Sequence, residues 1–367
     1  MSKVLFTSNV DGFNKFYYYY YEKLQNSGWT VDVASRGTAN IPNINRKYNV
    51  AFGRNPFVLS NVKAFFQLVG ILKKGNYDIV FCNTPIPGFI TRLAIMFLHI
   101  ETKVLYSAHG FSFGKYTTSI KEKIFFALEK SLSSFTDVII TMNKEDFEIS
   151  SENFDCKTVY VDGVGVDKGI IGSISVEAQQ QKRRQLGLNA TDFVAVYPAE
   201  LTDRKNQMLG FKIIEKLNNK RIPIVYLLCG KGKNFDIYQD YIKKHNLPVR
   251  IMGFREDVLE ILDISDILIA TSKFEGLPIN VIEAMSKGIP IVATSCKGHT
   301  DLIVEEENGY IFDEDYIEKA VEDISFLYNN PSERERVRNN NILKSEKYFV
   351  DRVFLQYKKI FEDVLNG

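Results

Sequence analysis

Short runs rich in Val, Ile, Phe and Tyr recur near residues 3–7, 30–34, 78–82, 103–107, 137–141 and 157–161, mostly separated by longer stretches with the apolar spacing of a helix. A second series follows near 193–198, 223–229, 249–252, 266–270 and 290–294. Strands this apolar, alternating with helices, call for a parallel sheet covered on both faces, because parallel neighbours need a crossover between them. The expected fold class is α/β, and 367 residues are enough for two such domains. Between the two series, Lys168–Ala190 passes from Gly and Ser into the polar run Glu177-Ala-Gln-Gln-Gln-Lys-Arg-Arg, a linker followed by a short helix. The first domain is therefore assigned to 1–168 and the second begins at 169.

Charge narrows the partners. Lys+Arg 46 against Asp+Glu 45 leaves +1, without the basic excess that neutralises phosphates, so no nucleic acid is expected. The balance is uneven: residues 1–168 carry +4 and the remainder −3, which points to the first half for a negatively charged partner. The opening Met-Ser-Lys-Val-Leu-Phe-Thr-Ser turns polar too early for a signal peptide. Phe89–Ile100 is interrupted by Arg92 and too short to cross a bilayer, so a cytoplasmic protein is expected. Cys82, Cys156, Cys229 and Cys296 form no Cys-x-x-Cys pair and read as small buried hydrophobes.

The most informative stretch is Ser265–Thr294. A buried strand at Ile267–Ala270 runs into a Gly-Pro loop, a helix begins near Pro278, and Gly288 and Pro290 stop it. The loop then presents free N–H groups at a helix N-terminus, where the helix dipole favours an anion such as a diphosphate. Glu275 precedes the helix and Glu283 lies inside it, with backbones about 10 Å apart, enough to reach two hydroxyl-bearing parts of one nucleotide-sized ligand.

The pattern Phe-Glu275-Gly-Leu-Pro-x-x-x-x-Glu283-Ala-Met-x-x-Gly-x-Pro-x-Val-Ala-Thr, followed by Gly298 and Asn308-Gly309, resembles the retaining glycosyltransferases of family 4. Their GT-B fold has two facing Rossmann-like domains. The resemblance implies a second domain over 169–345 that binds a nucleotide sugar, and a C-terminal helix over 346–367 that returns to the first, acceptor-side domain. It also implies that Glu275 contacts the donor sugar, that Glu283 holds the ribose, and that amides around Gly276 and Leu277 meet the diphosphate.

Upstream, Tyr197-Pro-Ala-Glu-Leu-Thr-Asp-Arg-Lys-Asn-Gln occupies the turn where the family places an Arg and a Lys on that diphosphate. Lys205 matches the lysine; Glu200 stands where many members have arginine, and the adjacent Arg204 is the expected substitute. Cations there would stabilise the departing phosphate. Gly230 and Gly232 allow close backbone approach, and Arg255 is either near the base or in a salt bridge to Asp257. In the first half, Tyr106-Ser-Ala-His109-Gly110 resembles the family's His-Gly turn, whose histidine faces the donor sugar. It also follows a strand at the sheet edge where open α/β sheets bind ligands. Asn83-Thr-Pro, Asn61, Glu129, Thr136-Asp137 and Val161-Asp-Gly extend the resemblance to members that build bacterial surface polysaccharide. Gly12, in the first βα turn, is expected at the phosphate, although that turn lacks the double glycine of many members.

Two other signals carry less. Asp313-Glu-Asp315 fits a metal-binding spacing but sits in a polar turn, and the resembled family works without metal, so neither metal nor other cofactor is expected. Phe16–Tyr21 reads as a helix with its inner face in the core. The expected activity is retaining transfer of a hexosyl or N-acetylhexosaminyl unit from a UDP-linked sugar to a lipid-linked saccharide acceptor, with His109, Lys205 and Glu275 as the catalytic set. The alternatives are a non-catalytic nucleotide-sugar-binding partner and a nucleotide-sugar epimerase; a nicotinamide dehydrogenase lacks its Gly-x-Gly-x-x-Gly turn at Asn9–Lys15. A lipid-linked acceptor implies peripheral contact of the first domain with the inner face of the membrane. Lys115–Leu132 is the expected surface, with Lys121, Lys123 and Lys130 facing headgroups and Ile124, Phe125, Phe126 and Leu128 dipping between them.

Overall fold

A computed structural model describes residues 2–53, 55, 58–115 and 119–366. The chain divides into two compact units, one running up to Gly165 and including the helix Val350–Asn366, the other spanning Val166–Phe349.

In the first unit the described strands are β1 (Lys3–Val10), β2 (Thr30–Arg36), β3 (Arg46–Asn49), β4 (Ile79–Asn83), β5 (Lys103–Ser107), β6 (Val138–Thr141) and β7 (Lys157–Tyr160), all parallel, in the order β3-β2-β1-β4-β5-β6-β7. The sequence pattern misses β3, because its Arg-Lys-Tyr-Asn sits at the edge and buries none of its residues. The chain reverses direction across the sheet after β3, so β1 and β4 are neighbours at a topological switch point, where ligands of open α/β sheets bind.

Right-handed crossovers decide which helix covers which face. Ser60–Gly75, Pro85–Leu98, Ile120–Ser133 and Lys144–Asn153 all step the same way along the sheet and share one face. Tyr18–Asn26 steps the other way, and Val350–Asn366 joins it there. Tyr20 meets Phe354 and Tyr357 edge-on, and Phe81 meets Tyr357 and Phe361. The Phe16–Tyr21 run accounts for part of this layer: Tyr17, Tyr20 and Tyr21 are buried while Phe16 is exposed, and the segment is a 3-10 turn (Asp11–Tyr17) leading into the helix.

The helix Ile120–Ser133 differs from the surface expected of it. Phe125 and Phe126 are half-buried and pack against the core, the Phe126 ring lying 5.5 Å from Phe113, instead of standing outward with the lysines. The outer stripe is instead Ile120, Ile124 and Leu128, 78%, 54% and 39% exposed. Part of the expected segment, 116–118, lies outside the described residues. Between this helix and Pro85–Leu98, Arg92 is fully buried over the Tyr106 ring and paired with Glu129 at 2.7 Å.

The second unit contains β8 (Phe193–Pro198), β9 (Ile224–Cys229), β10 (Val249–Gly253), β11 (Ile267–Ala270), β12 (Ile291–Thr294) and β13 (Gly309–Phe312), in the order β10-β9-β8-β11-β12-β13. β13, short and begun by glycine, is the strand that periodicity overlooks. The central strands β8 and β11 are buried along nearly their whole length, which holds their C-terminal ends, and the loops leaving them, side by side. Among the described residues no helix is long and apolar enough to cross a membrane. All four cysteines are free.

Candidate active site

In the second unit two loops leave adjacent strands, β8 into 199–206 and β11 into 271–278. One backbone bond and one side-chain bond join them: Lys273 N donates to Arg204 O at 2.9 Å, and the Thr271 hydroxyl donates to Lys205 O at 3.0 Å. Glu275 lies between them. Lys205 Nζ is 2.6 Å from one of its oxygens and Arg204 Nη1 is 2.6 Å from the other. Ser272 Oγ donates to the first oxygen at 2.5 Å, so the Tyr197 hydroxyl, 2.6 Å from Ser272, must donate to the serine. Burial pushes the Glu275 carboxyl up, but Lys205 and Arg204 outweigh it and hold it down to about 2. This carboxylate is ionised at neutral pH.

The helix Ile279–Ser286 starts beside it, with Pro278 in extended conformation before its first turn. Among the described residues the N–H groups of Gly276 and Leu277, in the loop that leads into this helix, find no acceptor in the protein. That leaves two donors and a helix dipole ready for an anion. Gly298 closes the loop from behind: its φ is +85°, and a Cβ there would stand 2.8 Å from Glu275 Cβ. Glu283, on the helix, is in the opposite situation from Glu275. Its carboxylate has no cationic or hydrogen-bonding partner among the described residues, and burial alone raises it to about 7.

The remaining expected residues have various surroundings. Gly230 makes room for protein: a Cβ there would fall 1.9 Å from Ala199 O, so its close approach is to the neighbouring turn. Of the two alternatives for Arg255, the ion pair is present, with Nε and Nη2 on the two Asp257 oxygens at 2.7 and 2.5 Å. Glu200 is exposed, and its carbonyl accepts from Gln207. Asp313 and Asp315 are exposed, the Asp315 N–H donating to Asp313 in a tight turn. Among the described residues no three His, Cys, Asp or Glu side chains gather as a metal site would require.

In the first unit His109 follows β5, with Nε2 3.2 Å from Asn83 Oδ1 and 3.4 Å from the Tyr17 hydroxyl. Asn83 Oδ1 also accepts from Tyr17 at 2.7 Å. Because that oxygen only accepts, Nε2 carries the proton and Nδ1 is the free acceptor. Burial holds the imidazole down to about 4, so it is neutral at pH 7. Thr84, next to Asn83, has φ +65°, a strained value for a β-branched residue and of the kind that collects at functional sites. Gly12 sits at the start of the 3-10 turn after β1, exposed, with open space where a Cβ would be. Neither packing nor dihedral requires glycine there.

Sequence reasoning assigned no role to Tyr17, Asn83, Tyr197, Ser272 or His299. His299 is buried behind the Glu275 loop, its Nδ1 3.0 Å from Thr294 O. Asn83 and Tyr197 offered one usable signal, a polar or hydroxylated residue at or near the C-terminal end of a buried strand.

Two parallel-sheet Rossmann-like domains, one with a cation pair and open amides at a helix N-terminus, define the GT-B class of sugar-transferring proteins. Residues 178–344 match the family described as Glycosyl transferases group 1, and residues 3–143 match Glycosyl transferase 4-like. The chain is 34% identical over 316 residues to a protein of Bacillus subtilis (strain 168) named Putative glycosyltransferase EpsD, covering 84% of this chain and 83% of that one. It is 27% identical over 274 residues to the UDP-Gal:alpha-D-GlcNAc-diphosphoundecaprenol alpha-1,3-galactosyltransferase of Escherichia coli, covering 71% and 68%. The fold superposes on Anabaena Alr3699/HepE, crystallised with UDP and glucose, with a TM-score of 0.82 at 16% identity over 99% of this chain and 100% of that one. The chain belongs to the family 4 glycosyltransferases and has the GT-B fold.

Proposed function

We propose that the protein transfers a hexosyl or N-acetylhexosaminyl unit from a UDP-sugar to a lipid-linked saccharide, with retention, in the synthesis of bacterial capsule, exopolysaccharide or O-antigen. The observation that carries this reading is the meeting of Lys205, Arg204 and the open Gly276 and Leu277 amides at one helix end. They offer positive charge where a leaving diphosphate gains negative charge. The E. coli relative named for a UDP-galactose donor and a diphosphoundecaprenol-linked acceptor supports the choice of substrates. In this mechanism the acceptor hydroxyl attacks on the face that the diphosphate leaves, and the departing phosphate takes its proton. No side chain becomes a nucleophile, and no resident metal or other cofactor is needed, because Lys205, Arg204 and the helix end supply the charge. Glu275 orients the sugar and Glu283 holds the ribose diol, and the part that the family resemblance gives His109 is carried by its Nδ1. Incubation with a panel of nucleotide sugars and a lipid-diphosphate saccharide, with the new anomeric coupling read by NMR, tests this. An inverted linkage, release of an altered free sugar, or no transfer from any UDP-sugar would each refute it.

A lipid-linked acceptor requires a visit to the membrane, and we place it on the cytoplasmic face. The support is the outer surface of three adjacent helices in the first unit. Val62 and Phe66, then Phe97, then Ile120, Ile124 and Leu128 are exposed apolar residues, accompanied by exposed Lys63, Lys73, Lys74, Lys121, Lys123 and Lys130. The helices Ser60–Gly75 and Pro85–Leu98 contain no acidic residue. The fourth helix of that face instead exposes Glu148 and Glu152. Each lysine near an anionic surface contributes about 1 kcal/mol. The protein is expected to sediment with anionic vesicles and not with neutral ones, and to lose most of that binding in Lys121→Glu/Lys123→Glu and in Ile124→Ser/Leu128→Ser. Sedimentation indifferent to lipid charge and to both double variants removes this face from the account.

A further inference from the structure

Both cations of the donor site hold an anion that belongs to the protein itself. Lys205 and Arg204 each take a different oxygen of Glu275 at 2.6 Å, and Ser272 adds a third donor at 2.5 Å. The Glu275 side chain is only 8% exposed and Lys205 is nearly as buried, so that half of the pairing is sheltered from water and weakly screened by salt, while Arg204 approaches from the solvent side. A carboxylate kept solely to receive sugar hydroxyls needs no cation of its own, whereas here each oxygen is engaged by one and three of its roughly four accepting positions are taken. The neighbouring Gly276 and Leu277 amides are engaged by no acceptor among the described residues. The anion site is thus half occupied by a residue of the protein itself.

We infer that the Glu275 carboxylate occupies, on Lys205 and Arg204, the place a donor's diphosphate takes. It is a built-in competitor that the donor must displace and that helps to expel the spent nucleoside diphosphate. This rests on the donor-site reading above. Two cations and one carboxylate leave the cluster with one net positive charge, which attracts a diphosphate. The diphosphate then meets Glu275 as a like charge within the roughly 4–6 Å over which such groups act strongly on each other. A nucleotide sugar compensates, because its hydroxyls give the displaced carboxylate new donors. The product nucleotide brings no sugar, so Glu275 returns to its cations. One residue thereby favours the substrate over the product at the same site.

Titration calorimetry with UDP, UDP-glucose and inorganic pyrophosphate on the wild type, Glu275→Gln and Glu275→Ala tests the inference. UDP and pyrophosphate are expected to bind about tenfold or more tightly to both variants, the scale of removing one nearby like charge at a partly buried site. UDP-glucose is expected to gain less or to lose affinity, and turnover to fall. The two variants differ in volume, so one that melts like the wild type is sufficient. UDP and pyrophosphate affinities that are unchanged or weaker in the folded variant overturn the competitor role. The donor-site reading fails separately, if wild-type UDP binding does not respond to Lys205→Ala.

Discussion

Lys205→Ala is expected to lower turnover about 10²–10³-fold, the size of effect seen when one preorganised charge-stabilising donor is lost. The ammonium is buried, so packing holds it in place before reaction and it need not reorganise when charge develops on the leaving phosphate. Burial pushes its own pKa down, yet Glu275 beside it favours the charged form, and the ion pair is the state the geometry describes. Arg204 cannot readily take over: it is more exposed, reaches the other Glu275 oxygen and also donates to Phe274 O. Steady-state transfer from a UDP-sugar, with thermal melting as the control for folding, checks the expectation. Turnover near the wild-type rate would assign the leaving group to Arg204 or another cation.

Donor affinity is expected to fall as pH drops below about 7, approaching tenfold per unit, and Glu283→Gln is expected to abolish that slope while weakening binding at pH 8. The sign follows from which form binds. Ribose hydroxyls donate to the ionised carboxylate, so the bound state has the lower pKa. Binding is at full strength where free Glu283 is ionised and is lost as protons compete for it at lower pH. Glu283 titrates in this window because burial raises it and no opposite charge acts against that rise. Glu275, only eight positions earlier, is held far below the window by two cations. A nucleotide sugar is the proper ligand for this titration, since a diphosphate esterified at both ends keeps its charge through the range. An affinity flat from pH 8 to pH 5.5 in the wild type would remove Glu283 from the ribose.

Local chemistry determined a large share of this protein. Periodicity marks most strands because a strand buried on both faces must be apolar throughout. Gly288, Pro290 and the Gly-Leu-Pro loop bracket the helix that carries Glu283, because backbone conformation there depends on a few neighbouring residues. Tertiary structure decided what no window of sequence contains. The edge strand β3 pairs on one side only and buries none of its four residues, so it needs no apolar run and leaves little periodic signal. Phe125 faces inward and Ile124 outward although they are adjacent and similarly apolar, because only the packing against the sheet distinguishes the two sides of that helix. Glu275 meets Lys205 across 70 positions, and His109 meets Tyr17 across 92, so their charge and tautomer belong to the folded chain. Two glutamates of identical intrinsic acidity are set far apart, one well below the usual carboxylate range and one near neutrality, by partners and burial, and those are properties of position in space.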